Sequence, residues 1–190
     1  MYHGSTLDSF LQKKENTLMK KIPFLFIVMA VLLIGVSAAL PVKQASAESF
    51  SFCGASGGTG GKKYTDSQTQ GLTVTEVRVW HGSRIDAIQF VYKNKQGGKI
   101  EGTKHGGNGG TLSTFMLQPG ETIVKISGKH GTVIDSMQLW TSNGRTTQSW
   151  GGSGGSVEYT YSAPPGSSIF GLFGRAGTNI DALGVILLTK

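Results

Sequence analysis

The sequence predicts an all-β fold assembled from three copies of one unit, and three observations carry that prediction. A five-residue pattern recurs as Gly82-Ser83-Arg84-Ile85-Asp86, Gly131-Thr132-Val133-Ile134-Asp135 and Gly177-Thr178-Asn179-Ile180-Asp181. A doubled glycine pair recurs as Gly57-Gly58-Thr59-Gly60-Gly61, Gly106-Gly107-Asn108-Gly109-Gly110 and Gly151-Gly152-Ser153-Gly154-Gly155, interleaved with the first series at spacings of about 45 to 49 residues. Self-similarity at such a period marks a repeated architecture. The third observation is negative. No window after the leader repeats apolar residues at helical spacing, and glycine recurs too often to let a helix run.

The 190-residue chain opens on a leader. Lys20 and Lys21 precede an apolar run from Pro23 to Leu40, and Ala45-Ser46-Ala47 follows. A basic start, an apolar middle and a small-x-small exit read as a secretory signal peptide cut after Ala47. Met19 is then the natural initiator, and residues 1–18 are an over-extended start. The competing reading is an uncleaved anchor, because eighteen mostly apolar residues approach the length that spans a bilayer. The expected organisation is therefore a leader over 1–47 and one domain over 48–190. The product is secreted, or tethered to a membrane by the leader alone if cleavage fails.

Composition narrows the function classes. Residues 48–190 hold 13 Lys+Arg and 9 Asp+Glu, so the net charge of the mature part is about +4, against +7 for the whole chain. The longest basic run there is Lys62-Lys63, and basic residues do not interleave with aromatics, which argues against a nucleic-acid partner. A single cysteine, Cys53, rules out an internal disulfide framework and reads as a small half-buried residue. Stability must come from an apolar core.

Strand signals supply that core. In the first unit Val74–Trp80 alternates cleanly and Ala87–Tyr92 follows the Gly-to-Asp segment. The second unit repeats the order with Thr122–Ser127 and Ser136–Trp140, and the third with Ser168–Phe173 and Ala182–Leu188. Shorter candidates lie at 99–104, 113–117, 145–150 and 157–161. A lone four-stranded sheet cannot bury its apolar face, whereas three around a common axis bury all three faces together. The prediction is a prism with pseudo-three-fold symmetry, its Gly-to-Asp segments emerging as turns at one end. Ile85, Ile134 and Ile180 then point inward and leave the next carboxylate at the rim.

The repeated loops have a definite chemistry. Glycine lets backbone approach a ligand closely and tolerates positive φ. Backbone N–H groups donate hydrogen bonds, an ionised Asp only accepts them, and sugar hydroxyls do both. Three carboxylates beside three glycine loops therefore suit a neutral polyol. A lone match to either pattern would signify only a turn. Turn geometry by itself would accept Asn or Ser at 86, 135 and 181, so the triple recurrence of Asp points to binding.

These motifs, together with Ile85-Asp86-Ala87-Ile88, Gly120-Glu121 and the closing Gly171–Gly177 with Ile180–Gly184, resemble the jacalin-related lectins over essentially all of residues 52–190. The resemblance is to the mannose-binding branch with an uncut chain. It implies a β-prism of three Greek-key sheets and calcium-independent recognition of mannose or glucose units in glycans, glycoproteins or polysaccharides. By that resemblance Asp86 works with Gly110, Asp135 with Gly155 and Asp181 with Gly61. Further amides come from Arg84 and Ile85, Val133 and Ile134, and Asn179 and Ile180. A three-site algal member of the branch carries tyrosine at the middle of each turn, where this chain has Arg84, Val133 and Asn179, which bears on preference and affinity. Arg84 could add a contact to an extended or acidic glycan.

Rival readings are weaker. A glycosidase needs two carboxylates across one bond, and three symmetric aspartates do not offer such a pair, so no enzyme is expected. No cofactor and no metal site is expected either: His81, His105 and His130 are scattered and read as loop-rim residues, and no Asp-x-Asp run suits calcium. Trp80, Trp140 and Trp150 sit at strand ends and read as packing residues. The alternative function is a surface-targeting or structural prism acting with a toxin or matrix partner. Dimerisation, common in the resembled family, is not legible.

Overall fold

The computed structural model describes residues 47–190, so the leader, its start and its apolar run lie outside the described residues. The described chain is all-β, with thirteen strands. They are β1 (Ser49–Gly57), β2 (Lys62–Thr65), β3 (Thr73–His81), β4 (Ile85–Lys93), β5 (Lys99–Glu101), β6 (His105–Gly106), β7 (Thr111–Met116), β8 (Ile123–His130), β9 (Ile134–Thr141), β10 (Trp150–Gly151), β11 (Val157–Ser162), β12 (Ser167–Ala176) and β13 (Ile180–Thr189).

Each sheet is built on a central antiparallel pair whose two strands are joined by a Gly-to-Asp turn: β3–β4, β8–β9 and β12–β13. The first sheet runs β7-β3-β4 and ends on β5 and β6, which share the outer edge of β4. The second runs β11-β8-β9-β10, and the third β1-β13-β12-β2. A single backbone pairing, Ile169 with Ile123, joins the second and third into one hydrogen-bonded ladder. One five-stranded and two four-stranded units of this order form the predicted β-prism.

The central strands carry the clean alternation seen in the sequence. Val77, Val79, Ile126, Met137, Leu139, Leu172, Leu183 and Val185 come from all three sheets and are fully buried in one cluster with Phe90 and Phe170. Each such side chain contributes on the order of 1.5–3 kcal/mol on leaving water. Ile85, Ile134 and Ile180 are also fully buried, so each turn is nailed to this core from below.

Register shifts repeat with the symmetry. One bulge interrupts each central pair far from the turn, between Val74 and Glu76, Ile123 and Lys125, and Ile169 and Gly171. Another lies immediately before each turn, at Trp80/His81, Lys129/His130 and Arg175/Ala176. A bulge bends its strand and re-aims the residues that follow, so the turns inherit a common orientation.

Several expectations need correction. The third sheet is completed by β1 and β2 from the start of the domain, two strands that show little apolar alternation because most of their residues are exposed. The 99–104 candidate contracts to β5, with the two-residue β6 beyond its end, and 145–150 contracts to one bridge between Trp140 and Thr146 plus the two-residue β10. Cys53 is exposed rather than half-buried, because β1 is a sheet edge. His105 is not a rim residue: its Nε2 lies 2.7 Å from Oδ1 of buried Asp66, and its ring stacks on Tyr64. The other oxygen of Asp66 accepts the Leu172 amide at 2.8 Å, so this pair pins the first unit to the third sheet.

Candidate functional site

Each Gly-to-Asp turn closes in the same way. The amide of the leading glycine donates to the carbonyl of the middle residue: Gly82 to Arg84 at 3.0 Å, Gly131 to Val133 at 3.1 Å, and Gly177 to Asn179 at 2.9 Å. The chain reverses within those residues, leaving Arg84 exposed and Val133 and Asn179 half-buried at the tips. Asp86, Asp135 and Asp181 follow, each half-buried at the start of its outgoing strand.

A glycine loop from elsewhere in the chain folds over every carboxylate. Its second glycine donates to the aspartate's backbone carbonyl: Gly107 to Asp86 at 3.0 Å, Gly152 to Asp135 at 2.9 Å, and Gly58 to Asp181 at 2.7 Å. Its last glycine lies against the carboxylate itself. A Cβ added to Gly110 would sit 2.6 Å from Asp86 Oδ2, one on Gly155 2.7 Å from Asp135 Oδ2, and one on Gly61 2.5 Å from Asp181 Oδ2. These glycines have φ of 77°, 74° and 59°, in the left-handed region that favours glycine. The geometry thus pairs Gly110 with Asp86, Gly155 with Asp135 and Gly61 with Asp181.

The three turns are neighbours. The loop that closes on Asp135 also packs Gly152 against Ser83 of the first turn. The loop over Asp181 packs Gly58 against Thr132 of the second turn, and the loop over Asp86 packs Gly107 against Thr178 of the third. Each glycine loop therefore touches two turns, and the contacts close into a ring at one end of the prism.

Within this common frame the carboxylates differ. Asp135 Oδ2 accepts the Gly131 amide at 2.8 Å. Asp181 Oδ2 is buried with no hydrogen-bond partner among the described residues. An unpaired buried acceptor costs about 1–3 kcal/mol. Asp181 is flanked by Arg175, whose Nε and Nη2 donate to the carbonyls of Gly60 and Gly61 at 2.6 and 2.7 Å and fix the loop.

Sequence reasoning missed several contributors. Gly109 and Gly154 face the other carboxylate oxygens, as their place in the repeated loop could have indicated. The role of Arg175 and that of His81 have no signal in the sequence. His81 Nδ1 accepts the Gly151 amide at 3.2 Å while its Nε2 meets Ser113 Oγ at 2.9 Å. Burial pushes its imidazole below the usual histidine value, and the Asp86 charge offsets this only in part. The tryptophans pack as expected: Trp150 is buried, while Trp80 and Trp140 lie under the ammonium groups of Lys104 and Lys125. Among the described residues no cluster of three or more His, Cys, Asp or Glu is placed to hold a metal ion.

A β-prism that sets carboxylates under glycine backbone at one end is the frame of a carbohydrate-binding protein. Residues 53–186 match the jacalin-like lectin domain, and the chain belongs to that family of lectins, which bind carbohydrate and are not enzymes. Among solved structures, Malaysian banana lectin is similar at 26% identity and a TM-score of 0.66, covering 75% of this chain and 100% of its own. A mannose-binding jacalin-related lectin from Ananas comosus matches at 26% identity and a TM-score of 0.66, over 74% of this chain and 99% of that one. A mannose-binding lectin from champedak matches at 26% and 0.64, over 75% and 98%. No curated protein matches by sequence.

Proposed function

We propose that the chain is a secreted lectin that binds mannose- or glucose-type hexoses through three equivalent sites centred on Asp86, Asp135 and Asp181. The observation that carries this reading is the enclosure of each carboxylate by a positive-φ glycine, with Asp181 Oδ2 left without a donor. A hexose offers adjacent hydroxyls that donate to such a carboxylate and accept from amides. In this reading the carboxylates take the 4- and 6-hydroxyls. The amides of Arg84 and Ile85, Val133 and Ile134, and Asn179 and Ile180 serve the ring and 6-oxygens. Those of Gly110, Gly155 and Gly61 serve the 3-hydroxyl.

Mannose is favoured because the similar lectins from Ananas comosus and champedak are described as mannose-binding. Every contact invoked is a hydrogen bond to backbone or carboxylate, so binding requires no calcium. Cleavage after Ala47 leaves Glu48 and then β1, so the mature domain of residues 48–190 begins where the third sheet needs its edge strand. Three neighbouring sites on one branched glycan raise millimolar single-site binding by roughly two to four orders of magnitude where spacing permits.

A glycan array and calorimetry test the proposal on the chain dialysed against EDTA. The expected outcome is binding of mannose-terminated glycans, a graded loss for Asp86→Ala, Asp135→Ala and Asp181→Ala singly, and abolition in the triple variant. Retention of mannose binding by the triple variant, or a requirement for calcium, defeats it.

A further inference from the structure

We infer that the outer face of the third sheet carries a second carbohydrate subsite, which takes a hexose further along the glycan held at Asp181. The inference rests on the reading of Asp181 as a hexose acceptor. A groove of about 780 Å³ opens between β1, β12 and β2. The pairings of Phe173 with Gly184 and of Arg175 with Ala182 put these four residues on one face, opposite to the buried Leu172, Leu183 and Val185. Phe173 lies directly over Gly184, where an added Cβ would sit 2.6 Å from the ring. Phe52 from β1 meets it edge to face, with ring centroids 5.2 Å apart. Phe52 is 54% exposed, and so is free to receive a ligand.

The groove has the chemistry of a pyranose complement. A hexose carries an apolar C–H face and a rim of hydroxyls, which matches an aromatic surface edged by a few polar groups. Here Phe52 and Phe173 supply the surface, while Thr59, Lys63 and Gln68 supply the edge.

Continuity with the third turn identifies the occupant. One loop serves both places: Gly57, Gly58 and Thr59 line the groove, and Gly60 and Gly61 close on Asp181. Arg175 lines the groove and holds the same loop by its two hydrogen bonds. Ala182, next to Asp181, lines it as well.

The other two sheets lack this surface. On the first, the position of Phe173 is held by Arg78, which is tied up in ion pairs with Glu76 and Glu101. On the second, Ser127, Ser136 and Gln138 line a smaller cavity of about 240 Å³. Core and turns repeat three times, whereas a pair of phenylalanines on an outer face occurs once; Trp80 and Trp140 on the other two are each covered by a lysine. Exposed aromatic surface of this kind marks a contact site.

The test compares methyl α-mannoside with a mannotriose on the full chain carrying Asp86→Ala and Asp135→Ala, with and without Phe52→Ser. Tryptophan fluorescence of Phe52→Trp in the same background, and sedimentation, complete it. The parent is expected to bind the trisaccharide about tenfold more tightly than the monosaccharide, an excess that Phe52→Ser removes without changing monosaccharide affinity. The trisaccharide alone should shift the emission of Phe52→Trp. Equal affinities in the parent, or equal losses for both sugars in Phe52→Ser, overturn the subsite while leaving Asp181 intact. A dimer that Phe52→Ser dissociates with no change in the affinity ratio gives the groove to a second copy and also overturns it. Failure of the parent to bind either sugar removes the reading of Asp181 itself, and the subsite with it.

Discussion

His81 and Gly151 join the first site to the second: the imidazole Nδ1 that ends β3 accepts the amide that opens the glycine loop over Asp135, at 3.2 Å. A backbone amide can only donate, so Nδ1 carries no proton and Nε2–H is left to face Ser113 Oγ. The ring also lies beside Trp150 and within the field of Asp86.

Acid should therefore weaken both the fold and the second site. The folded His81 titrates below the ordinary 6.5, so the unfolded chain takes up a proton more readily. Its contribution is intact above 6.5 and is lost as the pH falls through the folded value. Protonation also abolishes the acceptor for Gly151. The urea midpoint of the wild type should drop between about pH 7 and about pH 5, and that of His81→Gln should drop less. Equal slopes for the two proteins would remove His81 from the pH response.

Glu121 anchors the opposite region of the second sheet. Burial pushes its carboxyl up, but the Gln118 amide, the Thr141 hydroxyl and Arg145 outweigh burial and hold it below the usual carboxylate range. Gln118 N and Arg145 Nη1 both lie 2.7 Å from Oε2. Because the folded value is depressed, this stability is present above the unfolded carboxylate value and is lost as the pH falls through the folded one. Arg145→Ala leaves the buried carboxylate without its partly exposed cation and should cost about 1–3 kcal/mol in denaturant unfolding at neutral pH. A loss below about 1 kcal/mol would mean the two neutral hydrogen bonds suffice.

Gly110 has no room for a side chain. With φ at 77°, and with Asp86 Oδ2 and His81 N both 2.6 Å from the position of a Cβ, Gly110→Ala must distort the loop. The expected loss is about 1–3 kcal/mol of stability, with calorimetric stoichiometry falling by one site. Unchanged stoichiometry would show that the loop adapts without disturbing Asp86.

Asp181 should contribute little to stability. Its Oδ2 has no partner among the described residues, so Asp181→Ala removes a desolvated acceptor rather than a hydrogen bond to it. Thermal unfolding without sugar should show an unchanged or higher Tm, while binding at the third site disappears. A fall in Tm of more than a few degrees would mean the carboxylate supports the loop over it.

The legible part of the fold was local. Val77 and Val79 betray β3 because side chains alternate across a strand whatever its partner. Buried Ile134 and Ile180 were equally readable, standing before the same aspartate in each copy. Strands β1 and β2 were not legible, since Ser49–Gly57 and Lys62–Thr65 bury little of their own surface and are held by pairing with β13 and β12. His105 could not be placed because its partner Asp66 is remote in the chain. At the site, the aspartates were visible as a repeat, whereas Arg175 and His81 acquire roles only through carbonyls and amides from other loops.

The sequence by itself determined that three like units share one core and that each presents an acidic turn. Both facts follow from periodicity, which backbone geometry reads residue by residue. The tertiary structure decided that the start of the domain closes the third sheet, that the glycine loops link the turns in a ring, and that one outer face alone bears paired phenylalanines. Those outcomes depend on contacts between residues as distant as Gly61 and Asp181, and no local pattern encodes the closure that brings them together.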